Sequence, residues 1–117
     1  MVIEKQMDNL DKLEVIEGLT DGWNGNGAPP FSKDLIKRIR DLLGSLDIQP
    51  EIFPTALQTI QLEFDNSRRD HMEIEIGDSE DVEIFTVLYN GKEITESIVY
   101  DASKINQIVK DFNSTIV

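Results

Sequence analysis

The sequence predicts an α+β domain: two N-terminal helices, a four-stranded antiparallel meander and a C-terminal helix, in the order α-α-β-β-β-β-α. Three observations carry this. Apolar residues recur every three or four positions up to Leu46 and again after Asp101. Between Ile60 and Tyr100 the period is two. Within that stretch Asn90-Gly91 is a strong hairpin signal. A chain of 117 residues with 39% hydrophobic content suits one domain, 1–117, with a modest core.

Over residues 3–19, Ile3, Met7, Leu10, Leu13, Ile16 and Leu19 form the apolar stripe of an amphipathic helix, and Gly18 marks its end. The run from Asp21 to Phe31 holds three glycines and two prolines around Trp23, the only tryptophan, and reads as a structured loop. Ser32 is an N-cap, with Asp34 in the first turn to complement the helix dipole. Leu35, Ile36, Ile39, Leu42, Leu43 and Leu46 give the second helix a broad apolar face. Pro50 and Pro54 bracket what reads as an irregular connection.

Ile60, Leu62 and Phe64 alternate with Gln61 and Glu63, and Met72, Ile74 and Ile76 with Glu73 and Glu75. Even-numbered residues therefore point inward on both strands. Val82 to Tyr89 is the third strand and Lys92 to Tyr100 the fourth. Asp101 caps a last helix with Ile105, Ile108, Val109 and Phe112 on one face. A two-residue turn at Asn90-Gly91 pairs Val87 with Ile94. Phe85, Val87, Tyr89, Ile94 and Ile98 then share a face, apolar enough to need the last helix or a second subunit as cover. A three-residue loop with a glycine bulge would shift the parity and remove this conflict. The two-residue turn is preferred, because the third strand is apolar on both sides.

Charge is the most informative global property. The net charge is −12, and thirteen carboxylates between Glu51 and Asp101 face only Arg68, Arg69 and Lys92. Such a field repels nucleic acid and acidic membranes and draws basic partners inward. The absence of cysteine removes disulfides, thiolate metal sites and a cysteine nucleophile. The first residues lack a signal peptide's basic and apolar regions, and no apolar run approaches the roughly 20 residues of a membrane span. A cytoplasmic location is expected.

Glu63, Glu73, Glu75 and Glu83 are expected outward on neighbouring strands of one sheet face. Cross-strand neighbours lie about 4.5–5.5 Å apart, close enough for a hard cation or an acid/base pair. A solvated polar face explains the same pattern and is preferred over catalysis, which needs a concave, partly desolvated setting. An acidic docking face for a basic partner fits the regional charge best. Trp23 is first of all a plug for the core and secondly a contact residue, since tryptophan often anchors interfaces. Its loop, Gly25-Asn26-Gly27-Ala28-Pro29-Pro30, lacks the third glycine of a dinucleotide fingerprint, follows a helix and has no Walker lysine-serine pair, so no cofactor is expected.

His71, the only histidine, reads as a surface residue at a hairpin. Without cysteine or a second histidine, zinc sites of the usual composition are excluded. A serine–histidine–carboxylate triad lacks a Gly-x-Ser-x-Gly elbow to present the serine. Lys33, Lys37, Arg38 and Arg40 make the second helix the one basic element, but Asp34 and Asp41 offset it, and specific DNA binding is not expected.

Gly22-Trp23-Asn24-Gly25-Asn26-Gly27-Ala28-Pro29-Pro30, followed by a helix and by Ile60-Gln61-Leu62-Glu63-Phe64 and Met72-Glu73-Ile74-Glu75-Ile76, resembles a group of small, uncharacterised bacterial proteins. These carry a G-W-[DN]-G-x-G-A-x-P segment, an I-x-L-E-[WF] strand and an L-E-I-E-[IV] strand. The match spans approximately residues 10–77, with Phe64 where tryptophan is frequent. The resemblance implies a bacterial or mobile-element origin and transfers no site residues.

The expected function is a small non-enzymatic interaction module of the antitoxin, inhibitor or nucleic-acid-mimic kind, whose acidic sheet face binds a basic protein. The alternatives are a small metal-dependent hydrolase built on the sheet carboxylates, and a homo-oligomeric structural module joined through its second apolar face.

Overall fold

A computed structural model describes residues 2–25 and 27–114, so Asn26 of the glycine segment and the side chain of Ile3 lie outside the described residues. The elements are α1 (Val2–Glu17), α2 (Lys33–Ser45), β1 (Glu51–Pro54), β2 (Ile60–Asp65), β3 (His71–Ile76), β4 (Asp81–Val87), β5 (Glu93–Val99) and α3 (Ala102–Asn113). The strands form one antiparallel meander in the order β1-β2-β3-β4-β5. This is an α+β architecture with five strands where the sequence predicts four. The added strand is the stretch expected to be irregular. Ile52 is fully buried opposite Leu62, and Pro54 closes the strand opposite Ile60. A proline is tolerated there because β1 is an edge strand.

Even-numbered residues face the helices. Ile52, Ile60, Leu62, Ile74, Ile76 and Val82 are sealed into a core with Leu35, Ile36, Ile39, Leu42 and Leu43 of α2 and with Ile105 and Val109 of α3. Local chemistry starts both later helices. Ser32 Oγ accepts from the Leu35 N–H at 3.0 Å, and Asp101 Oδ1 from the Lys104 N–H at 3.1 Å. On α1 the stripe is rotated from the expected one: Asn9, Leu13 and Ile16 are buried, while Met7 is exposed. Asn9 earns its place by donating to the Pro50 carbonyl at 2.9 Å and the Gln49 side chain at 3.2 Å. That ties α1 to the approach to β1.

The β4–β5 turn corrects the expected register. Val87 pairs with Glu93 and Thr86 with Ile94, so the loop is Tyr89-Asn90-Gly91. The Gly91 N–H bonds the Leu88 carbonyl at 2.8 Å, and Gly91 adopts φ +89, the left-handed conformation of a glycine bulge. The physical reason is parity. This loop keeps Ile94 and Ile98 on the helix side with Val82 and Ile84, and leaves Phe85 and Val87 on the other. The five-residue apolar patch expected for a homodimer, Phe85, Val87, Tyr89, Ile94 and Ile98, is therefore divided between two faces. No helix of the described residues is long and apolar enough to cross a membrane.

Candidate functional site

The outer sheet face is the site the fold displays. None of its odd-numbered residues in β2 to β5 is buried. The register sets them in rows: Glu51, Glu63, Glu73, Phe85, Thr95 across one, and Phe53, Gln61, Glu75, Glu83, Ser97 across the next. Glu63 thus stands directly opposite Glu73, and Glu75 directly opposite Glu83. Among the described residues no lysine or arginine pairs with any of these four. Gln61 donates to Glu63 at 2.7 Å and Thr59 to Glu75 at 2.8 Å, which orients two carboxylates without neutralising them.

Several other acids of the β half hold the fold together. Asp70 is buried, and its carboxylate accepts from Asn66 Nδ2 at 3.1 Å, the Tyr89 N–H at 2.9 Å and Arg68 Nε at 3.3 Å. The side-chain bond from Asn66 and the backbone bond from Tyr89, with Arg68 adding its charge, outweigh burial and hold this carboxyl below its ordinary 3.8. Glu80 faces Arg38, whose guanidinium also donates to the carbonyls of Gly77 and Ser79 and stacks 4.6 Å from the Tyr100 ring. Arg38, from the basic helix, is thus an anchor for the β3–β4 turn. Asp78 accepts from Ser32, and Asp101 caps α3.

Two features of the outer face are concave or convergent. At one end a recess of about 340 Å³ is lined by Leu57, Thr59, Glu75, Asp78, Asp81 and Glu83, among others. At the other end His71 stands among carboxylates. Its Nδ1 lies 2.8 Å from Asp65 Oδ1; its Nε2 lies 2.9 Å from Glu73 Oε2 and 3.8 Å from Glu63 Oε1. Burial of the ring opposes protonation, but hydrogen bonds to Asp65 and Glu73, and their charges, prevail and raise the imidazole above its ordinary 6.5.

All four glutamates expected on one face are brought together there. Trp23 is not among them. It packs against the helix-side core, its ring centroid 5.7 Å from that of Phe31 and its Nε1–H bonded to the Pro29 carbonyl at 3.0 Å. The sequence reads His71 only as a surface residue at a hairpin, whereas the structure sets it among three carboxylates. The available signal was parity, since His71 shares its face with Glu73 two residues on; the approach of Glu63 and Asp65 depends on pairing between strands. No protein-family model matches this chain, and no curated protein or solved structure does so either.

Proposed function

We propose that the protein is a non-enzymatic interaction module that binds a basic protein surface through its outer sheet face. The observation that carries this reading is the register, which sets Glu75 directly against Glu83 with no cationic partner among the described residues, beside a Glu63–Glu73 pair whose only such partner there is His71. Like charges directly opposite on a sheet are destabilising, and a partner's cations would relieve that cost on binding. The recess at Glu75 and Glu83 suits a lysine or arginine side chain, with Leu57 against its stem and carboxylates around its head. Inhibitors and antitoxins that block basic active surfaces act in this manner, and electrostatic steering gives them fast, salt-sensitive association.

The test is capture from bacterial lysate at low salt, comparing the wild type with a variant carrying Glu63→Gln, Glu73→Gln, Glu75→Gln and Glu83→Gln. A basic protein retained by the wild type, released by salt and missed by the variant is the expected result. Equal capture by both, or no basic protein with either, overturns the reading.

A further inference from the structure

We propose that Glu63, His71 and Glu73 form a site for one divalent first-row transition ion, with Zn²⁺ as the probe. The site shares Glu63 and Glu73 with the proposed docking face but stands on its own geometry, centred on His71 and not on the Glu75–Glu83 recess. One donor atom from each residue lies within 4.8 Å of the others. A tetrahedral ion with ligands at about 2.0–2.2 Å sets them roughly 3.3–3.6 Å apart. The Nε2 distances of 3.8 Å to Glu63 and 2.9 Å to Glu73 bracket that spacing, so small side-chain rotations close the set.

The donor types select the ion. An imidazole nitrogen with two carboxylates suits zinc and its neighbours, whereas magnesium and calcium prefer oxygen alone. Orientation supports the same conclusion independently of the acidic pair. Asp65 holds Nδ1 at 2.8 Å, which fixes the ring and aims Nε2 at the two glutamates. A carboxylate behind a histidine whose other nitrogen faces the metal is the usual outer arrangement of metal-bound imidazoles. On binding, the ion replaces the proton between Nε2 and Glu73, and that proton passes to solvent. The His71 side chain is 30% exposed, so the ion has access and water can complete its coordination.

The experiment is calorimetric titration of the full chain with zinc chloride, accompanied by nitrogen NMR of the imidazole. His71 is the only histidine, so its ring signals are unambiguous. Expected are one ion per chain, a moved Nε2 resonance, and no matching response to magnesium at equal concentration. His71→Ala should weaken binding at least about tenfold, and Asp65→Asn by about 10–100-fold. Zinc affinity unchanged in His71→Ala, or ring resonances unmoved at saturating zinc, overturns the proposal. His71→Ala and Asp65→Asn keep all four docking glutamates, so zinc binding and capture of a basic protein are read separately and the two readings fail separately.

Discussion

The buried carboxylate of Asp70 accepts a hydrogen bond from the backbone N–H of Tyr89 at 2.9 Å, joining the β2–β3 loop to the β4–β5 loop. The same carboxylate takes Asn66 Nδ2, which also donates to the Phe112 carbonyl near the end of α3. Two loops and a helix end thus depend on one acidic side chain.

Asp70→Asn should therefore lower the melting temperature by several degrees at neutral pH, because a carboxylate acceptor of several donors is replaced by a neutral amide. The pH dependence has a definite sign. A carboxyl held below its unfolded value stabilises the folded state above 3.8, and that contribution is lost as pH falls through the lower folded value. The gap between wild type and variant should narrow as pH drops below 3.8. Thermal melts across the acid range check it, and a gap independent of pH would contradict it.

Gly91→Ala addresses the loop register. Gly91 has φ +89, and a Cβ there would meet nothing within 4 Å, so any cost is conformational alone. The expected loss is about 1 kcal/mol, as for a non-glycine residue in the left-handed region. Denaturant unfolding measures it. A neutral or stabilising substitution would argue for a different turn.

Ile52→Ala tests the fifth strand. Ile52 is fully buried and paired with Leu62. Truncation at such a site typically costs about 2–5 kcal/mol. An irregular, solvent-facing connection would lose well under about 1 kcal/mol. Chemical denaturation separates the two.

Glu83→Lys replaces a like-charge pair with an opposite one across Glu75. Stability should rise by about 0.2–1 kcal/mol, with a smaller gain at high salt, where surface charges are screened. Melting in low and high salt reads both. A loss of stability would mean that the two glutamates do not oppose one another.

How far the sequence revealed this fold depended on the range of the interaction. Period and capping exposed α2, α3, β2 and β3, because Leu35 to Leu46, Ile60 to Phe64 and Met72 to Ile76 each declare a buried face within one element. β1 escaped because Glu51, Ile52 and Phe53 are too few to show alternation, and the prolines at 50 and 54 obscure them. At Asn90-Gly91 the hairpin signal, with β4 apolar on both sides, suggested one register. The demand that Ile94 and Ile98 point toward the helices favours the other. The glutamate face was legible for the reason β2 and β3 were: its residues alternate with core positions. His71 was not, since its neighbours are determined by which residue of β2 meets which residue of β3.

The meander leaves two open edges, β1 and β5. β1 is only four residues long and ends in proline; β5 carries Glu93 and Glu96. Short strands, proline and charge are the means by which sheets discourage edge-to-edge growth. Near the isoelectric point of about 4.3 the chain loses the net repulsion that otherwise keeps these edges apart. Mild acid is therefore the condition under which copies of this protein should begin to stack strand on strand.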